Sequence, residues 1–553
     1  MTPESSRSSL PSGLRWSAAT SAFQIEGSRP TGISGRSIWD DYLERPGAIL
    51  DGSVADPACD SYRHPEADVA LAAGLGLDRY RFSIPWARVQ PDGLGRGDGV
   101  ALDHYSRLVD LLLDAGVVPF PTLFHWEMPS RIEAGGGWLE RDTAERFADY
   151  AAIVADRLGD RVQHWYTLNE PAMSTLQGYA VGALAPGKQL LFGALPTAHH
   201  QLLAHARAEA ALREHSAASV GLVNNHTWVL PLRDTAEDHQ AAAIYDLIHN
   251  RIFSEPLLAG SYPDLEALGL PPMPVQDGDL EAIGRSIDFY GINFYNPTTV
   301  TAAGEESPIP FDIVPTPGAP VTGFGPEWPI MPSALHDLLI DLHARHPQLP
   351  PVIIGENGAS FPEPDRAARV DDADRISYLA DHIAAVGDAI DAGVPVEEYT
   401  VWSLLDNWEW ADGYTQRFGL VHVDFDTGER TPKASYDWYR EVIASSRAAT
   451  PLAAGTGEKR LPRSPALARC GRGRDGCRCS RWRGWRSGPC SSRPSSCCCR
   501  CSSTPRRTTG SVVSSPPDWF SASAGSQGSS RAPPPVRSRI VRRPDATVVA
   551  RGP

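Results

Sequence analysis

Residues 1 to 450 of this chain of 553 residues contain a single cysteine, Cys59. An internal disulfide is thereby excluded from that stretch, and so is a thiolate metal site. Long apolar runs are missing as well: nowhere do about 18 apolar residues follow one another, so no transmembrane helix is expected. The N-terminus, Met1 to Leu14, is polar and has no apolar segment of the kind that leads a chain to secretion, and the expected location is the cytoplasm. Basic residues are scarce before residue 450, because residues 451 to 553 hold 20 of the 51 Lys and Arg but only 4 of the 67 Asp and Glu. The long first part is therefore strongly acidic, which repels nucleic acid and anionic membranes; neither is expected as a partner. Its His and Glu residues show no close-spaced ligand pattern, so neither a metal nor a cofactor is expected.

The tail differs in kind. From residue 451 to 553 the periodicity of apolar residues stops, and Arg, Ser, Pro, Gly and the remaining eight cysteines dominate, as in Ser496-Cys-Cys-Cys-Arg-Cys501. Such a segment buries too little apolar surface to offset its ordering entropy and is expected to be disordered, as is the short segment 1–13. Three readings stand for the tail: a basic arm, a cysteine-rich metal site, or out-of-frame translation of a GC-rich gene. Three cysteines in direct succession lack the paired spacing of zinc ligands, and the abrupt compositional switch favours the last.

Between these ends, eight apolar, β-prone runs alternate with segments of helical period: Leu14 to Thr20, Leu77 to Ile84, Val117 to Leu123, Val162 to Leu168, Ser219 to Asn224, Ile287 to Asn293, Pro351 to Ile354 and Tyr399 to Leu404. Helices are expected at Asp103 to Ala115, Thr143 to Leu158, Thr197 to Glu214, Arg375 to Ala392 and Ser435 to Ser446. This alternation predicts an α/β chain with a parallel sheet, and eight strands suffice for a (β/α)8 barrel as one catalytic domain over residues 14–450.

Polar and aromatic residues cluster where the runs end: Gln24 after the first, Arg81 within the second, His125 and Trp126 after the third, Asn169 and Glu170 after the fourth, Asn293 and Tyr295 around the sixth, Glu356 after the seventh, and Trp402, Glu409 and Trp410 at the eighth. In a parallel barrel these ends share one face. Aromatic platforms beside Gln, His, Asn and Glu suit a sugar, which offers apolar C–H faces and a rim of hydroxyls. Glu170 and Glu356 supply the two carboxylates of glycoside cleavage, and on strand ends of one barrel they could lie about 5 Å apart, the spacing of a retaining site. Arg81 and Tyr295 can keep Glu356 ionised, and the charge of Glu356 would raise the pKa of Glu170, leaving it the acid. Taken singly, a Glu after a strand is more often a solvated loop residue, and Trp126, Trp402 and Trp410 could be core aromatics; the set carries the argument. A noncatalytic sugar-binding barrel and a binding protein directed by its tail are the alternatives.

With its motifs in this order, Ser21-Ala-Phe-Gln-Ile-Glu-Gly27, Tyr80-Arg-Phe-Ser-Ile-Pro-Trp86, Leu123-Phe-His-Trp126, Thr167-Leu-Asn-Glu-Pro171, Asp288-Phe-Tyr-Gly-Ile-Asn-Phe-Tyr295, Glu356-Asn-Gly358 and Val401-Trp-Ser-Leu-Leu-Asp-Asn-Trp-Glu-Trp410, the chain resembles glycoside hydrolase family 1, the β-glucosidase family, from about Trp16 to Ile443. The resemblance implies a retaining exo-β-glucosidase, with activity on β-galactosides and β-fucosides, acting on a small β-glucoside or oligosaccharide such as cellobiose. It implies Glu170 as acid/base, Glu356 as nucleophile, Gln24, His125, Trp126, Asn169, Tyr295, Glu409 and Trp410 on the nonreducing sugar with Trp402 beneath it, and Arg81, Asn293 and Tyr295 around the nucleophile. Glu409 with Trp410 resembles the class acting on nonphosphorylated sugars. Gly355 departs from the family's usual Thr, and that strand end is expected to be looser. The loops Lys188 to Leu195 and Ala302 to Pro326 carry no pattern from which to read the leaving group, and oligomeric state is likewise unreadable.

Overall fold

The computed structural model describes residues 11, 13–27, 35–304, 306–364 and 369–449. Of the segments 1–13 and 451–553 only Pro11 and Gly13 are among them; the rest lies outside the described residues, as does residue 450.

Eight parallel strands close into a barrel in chain order: β1 (Arg15–Ala19), β2 (Arg79–Ser83), β3 (Val118–Phe124), β4 (His164–Asn169), β5 (Ser219–Asn225), β6 (Phe289–Asn293), β7 (Val352–Asn357) and β8 (Val396–Trp402). Closure is direct, with Ala18 of β1 opposite Val401 of β8 and Ala19 opposite Arg81 of β2. Strands of this kind are covered by helices outside and packed side chains inside, which is why they read as unbroken apolar runs. Two of the runs end elsewhere than predicted. β7 continues to Asn357, so Glu356 lies within the strand and not after it; the register shifts between Ile354 and Glu356 against β6, and the irregularity re-aims the carboxylate. β8 begins at Val396 and stops at Trp402, and the charges of Glu397 and Glu398 hid its start. Glu398 is fully buried, paired at 2.6 Å with Arg79 of β2.

Each predicted helix forms within a few residues of its expected bounds. In Gly99–Asp114 the Asp98 side chain accepts from the amides of Val100 and Ala101, satisfying donors the first turn leaves open, and Ala101, Tyr105, Leu108 and Leu112 form the buried stripe. Asp142–Leu158 packs along Leu195–His215, and the final helix Ala434–Ala449 against Pro65–Leu75, which closes the ring of helices. Past the barrel mouth, Val229–Pro231, Thr298–Ala302 and Phe311–Val314 form a small three-stranded sheet that the sequence did not reveal.

Inside the barrel, Phe120, Tyr166, Val223, Phe289 and Ile353 make an apolar plug, with the rings of Phe120 and Tyr166 stacked at 4.5 Å. The Arg81 guanidinium lies 5.0 Å over the Tyr166 ring, so the plug forms the floor beneath the polar residues above it. No helix among the described residues is long and apolar enough to cross a membrane.

Candidate active site

A cleft of about 400 Å3 opens above this floor, lined by His125, Trp126, Asn169, Glu170, Tyr295, Glu356, Trp402, Glu409 and Trp410 from the ends of five strands. Gln24, Arg81 and Asn293 stand one layer back, where they hold the lining residues in place. Three residues of the cleft, Trp126, Glu170 and Trp410, have φ of 69°, 49° and 49°. That left-handed region costs a non-glycine residue on the order of 1–3 kcal/mol, which the surrounding structure must hold in place. At Glu170 part of the holding is its own amide, which donates to the Val223 carbonyl at 2.8 Å.

Glu356 and Glu170 are both almost fully buried, yet their neighbours differ in charge. Arg81 donates to Glu356 Oε1 at 2.5 Å and Tyr295 donates its hydroxyl to Oε2 at 2.6 Å. Burial leaves the Glu356 carboxyl above its ordinary value, while the guanidinium's charge and these hydrogen bonds work against that rise. Glu170 receives only neutral amide donors: Asn293 Nδ2 at 2.6 Å and Asn225 Nδ2 at 3.3 Å, both to Oε1. Its pKa is pushed up to about 8 by burial first and by the charge of Glu356 second. The charge of Glu356, expected from the sequence as the cause, is thus second to burial.

A shared scaffold sets the two carboxylates relative to each other. The second arm of Arg81 donates to Asn169 Oδ1 at 2.6 Å, and Asn293 Nδ2 reaches the same oxygen at 3.1 Å while it holds Glu170. One guanidinium and two amides thus link both acids through hydrogen bonds.

The far side of the cleft is built to receive hydroxyls. Gln24 Nε2 donates to Glu409 Oε2 at 3.1 Å and to Asn407 Oδ1 at 3.0 Å, while Gln24 Oε1, His125 Nδ1 and Trp126 Nε1 are buried without a partner among the described residues. Buried polar atoms without partners are costly, and a hydroxylated ligand would satisfy them. Burial, with help from Arg81, holds the His125 imidazole well below its ordinary pKa, so it is neutral at pH 7. Trp402 stacks on His125 at 5.8 Å, and Trp126 and Trp410 lie 4.8 Å apart, giving an aromatic wall.

Two groups at the site were not picked out from the sequence. Asn225, at the end of β5, bonds Glu170 and is itself oriented by His249 Nε2 at 3.0 Å. Its signal was available, a polar residue closing a strand run, but no motif singled it out. Trp328 stacks on Phe324 at 4.2 Å and lies 5.5 Å from the Tyr295 ring, on the outer wall of the cleft. It sits just past a loop without sequence pattern, and only the fold brings it here.

Glu363, Asp406 and His422 bring ligand atoms within 4.8 Å of one another, as a metal site would. The position of a cation is already taken: Lys433 Nζ lies 2.6 Å from Glu363 Oε2 and 2.8 Å from Asp406 Oδ1. The cluster is a buried ion network, joined by Arg375 and Arg417.

The family model described as Glycosyl hydrolase family 1 matches residues 6–448. Among similar proteins, a bifunctional β-D-glucosidase/β-D-fucosidase from Bifidobacterium breve is 40% identical over 465 residues, covering 79% of this chain and 99% of the relative. β-Glucosidase A from Thermotoga maritima is 38% identical over 447 residues, covering 79% and 98%. The solved structure of a Thermotoga maritima family 1 glycoside hydrolase complexed with a cyclophellitol-analogue transition state mimic superposes with a TM-score of 0.75 at 37% identity, covering 79% of this chain and 98% of that one. Barrel, matched span and relatives agree: the chain belongs to glycosyl hydrolase family 1.

Proposed function

We propose that the chain is an exo-acting, retaining β-glycosidase that hydrolyses terminal nonreducing β-D-glucosyl residues, and also β-galactosyl and β-fucosyl residues, through a covalent glycosyl-enzyme intermediate. The observation that carries this reading is the unequal environment of two buried carboxylates: one beside a guanidinium, the other among neutral amides with its pKa raised to about 8. Glu356 attacks the anomeric carbon as the bond to the leaving oxygen breaks, and Glu170 gives its proton to that oxygen. Glycosylation removes the charge of Glu356, which is the second cause of Glu170's raised pKa. With that charge gone the pKa of Glu170 falls, so the group stays ionised and available to take a proton from water, and the resulting attack on the anomeric carbon frees Glu356.

Gln24 and Glu409 form one hydrogen-bonded unit, able to bridge neighbouring hydroxyls, so epimers at C4 are poorly separated. The name of the Bifidobacterium breve relative, which pairs glucosidase with fucosidase, supports this breadth. His125, Trp126, Asn169, Tyr295 and Trp410 complete the sugar site over Trp402, and Arg81 and Asn293 orient the acids. The substrate is a small β-glucoside or oligosaccharide such as cellobiose, the catalytic domain is residues 14–450, and the cytoplasm is the site of action.

The test is Glu356→Ala. Turnover of 4-nitrophenyl β-glucoside should fall by several orders of magnitude, and azide or formate should restore part of it with inversion at the anomeric carbon. Retention of near wild-type rate by this variant would remove Glu356 from the mechanism.

A further inference from the structure

Between the helices Ala236–Asp246 and Ile252–Leu258, residues Leu247–Arg251 form a π-helical turn that packs on the end of β5. Such turns are rare and are found often at functional sites. In an α-helix successive side chains diverge by about 100°. The wider turn lets two successive residues, His249 and Asn250, both reach the segment where β5 ends. Asn250 pins the backbone there, its Oδ1 accepting from the Thr227 amide at 3.2 Å and its Nδ2 donating to the Thr227 carbonyl at 2.9 Å. His249 is buried with its ring stacked on Tyr245 at 5.3 Å, and its Nε2 lies 3.0 Å from Asn225 Oδ1.

The hydrogen bonds assign each proton along this line. Asn225 turns its Nδ2 to Glu170 Oε1 at 3.3 Å, so its Oδ1 faces His249, and His249 must donate from Nε2. Burial lowers the His249 pKa to about 4, so the imidazole carries a single proton at pH 7, the one on Nε2. Nδ1 is buried without a partner among the described residues, as that tautomer requires. Asn293 Nδ2 donates to the same Glu170 Oε1 at 2.6 Å. Two donors on Oε1 leave Oε2 as the oxygen that holds the proton. The Asn225 bond is the longer of the two, and an amide free to turn would present Oδ1 instead, an acceptor that draws the proton to Oε1.

We propose that His249 is a positioning residue for proton transfer: by fixing the Asn225 amide with Nδ2 towards Glu170, it keeps the transferable proton on Oε2. The inference rests on the acid/base role given to Glu170 above and adds the residue that aims its proton. His249 acts through Asn225, so its loss should be felt where the reaction needs a proton and hardly where it does not.

The experiment measures kcat/KM for the wild type, His249→Leu and His249→Gln on two substrates. Phenyl β-glucoside needs its leaving oxygen protonated, whereas 2,4-dinitrophenyl β-glucoside loses its leaving group without a proton. His249→Leu should lose about tenfold or more on the first and less than about threefold on the second. His249→Gln, whose amide donates from nearly the same place, should recover most of the loss. On phenyl β-glucoside the alkaline limb should move up in His249→Leu by up to about one pH unit, the share a single hydrogen bond can hold. The Asn225 donor that favours the ionised form is then lost, while Glu356, Arg81 and Asn293 still face Glu170. Asn225→Ala breaks the line at its other end and should show the same split, with no further loss when combined with His249→Leu. It also carries the test if His249→Leu does not fold. Equal losses on both substrates, or a His249→Gln variant no better than His249→Leu, overturn the positioning role. Glu170→Gln separates that failure from failure of the reading beneath it. If Glu170→Gln keeps the wild-type rate on phenyl β-glucoside, the acid role falls; a large loss there with none in His249→Leu removes the positioning role alone.

Discussion

At the scale of single residues, Glu170 offers the sharpest consequence. Its folded pKa of about 8 lies above the ordinary value of 4.5, so between these pH values the folded chain keeps a proton that the unfolded chain gives up. Stability from this group is therefore fully present below about pH 4.5 and is lost as pH rises towards 8. Glu170→Gln, which cannot ionise, lacks that slope, and its melting temperature relative to wild type should climb from pH 5 to pH 8, by the equivalent of a few kcal/mol at most. In the wild type the same group should place the alkaline limb of kcat/KM near pH 8. With an activated aryl glucoside that limb should vanish in the variant; a limb that persists assigns it to another group. Gly355 makes a second residue-scale case. The expected loosening of its strand end is not what the packing shows, since a Cβ there would come 2.8 Å from both Asn293 Oδ1 and Val223 Cγ2. Gly355→Ala must push Asn293 aside, and Asn293 holds Glu170. A fall in kcat of about tenfold or more is expected, with little change in KM, corresponding to a loss of about 1.4 kcal/mol of transition-state stabilisation.

At the scale of elements, the loops after β7 and β8 are tied together by buried charge. Lys433 joins Glu363 to Asp406, and Arg375 bonds Glu363 along with the carbonyls of Arg417 and Phe418, the latter a residue of the cleft wall. Lys433→Met removes the cation shared by two buried carboxylates, each of which keeps one arginine, Arg375 on Glu363 and Arg417 on Asp406, so the cost should reach at most the about 3–5 kcal/mol of a fully broken buried pair. The expected result is a melting temperature lowered by several degrees and a raised KM as the Phe418 wall relaxes. An unchanged melting curve would show that the network adds nothing to stability. The elements themselves were readable where their signal is local. Strands β1 to β6 and the predicted helices came from apolar runs and from apolar residues three and four apart. The start of β8 is hidden because Glu398, paired with Arg79 and Arg15 from other strands, reads in the sequence as a solvated residue.

For the whole molecule, every strand of the barrel, the last helix and every proposed site residue precede residue 450. Removing residues from 455 onward should therefore leave both the melting temperature and the activity on an aryl β-glucoside unchanged. A clear drop in either would show that the removed segment contributes to the folded enzyme. The barrel also explains how residues so far apart in the chain act together: Arg81 and Glu356, 275 positions apart and on strands β2 and β7 that do not pair, meet because closure of the barrel brings all strand ends to one rim.

By itself the sequence determined the α/β alternation, the number of strands and the polar residues at their ends, since each of these is written in a few consecutive side chains. Only the tertiary structure decided how those residues are used. Burial, more than the neighbouring charge, raises Glu170, and a single guanidinium links Glu356 to Asn169. Asn225 and Trp328 join the site without a motif of their own, and a lysine takes the place where three ligand-type residues would otherwise suggest a metal. Each of these depends on dielectric surroundings or on contacts between segments far apart in the chain, and no local pattern encodes either.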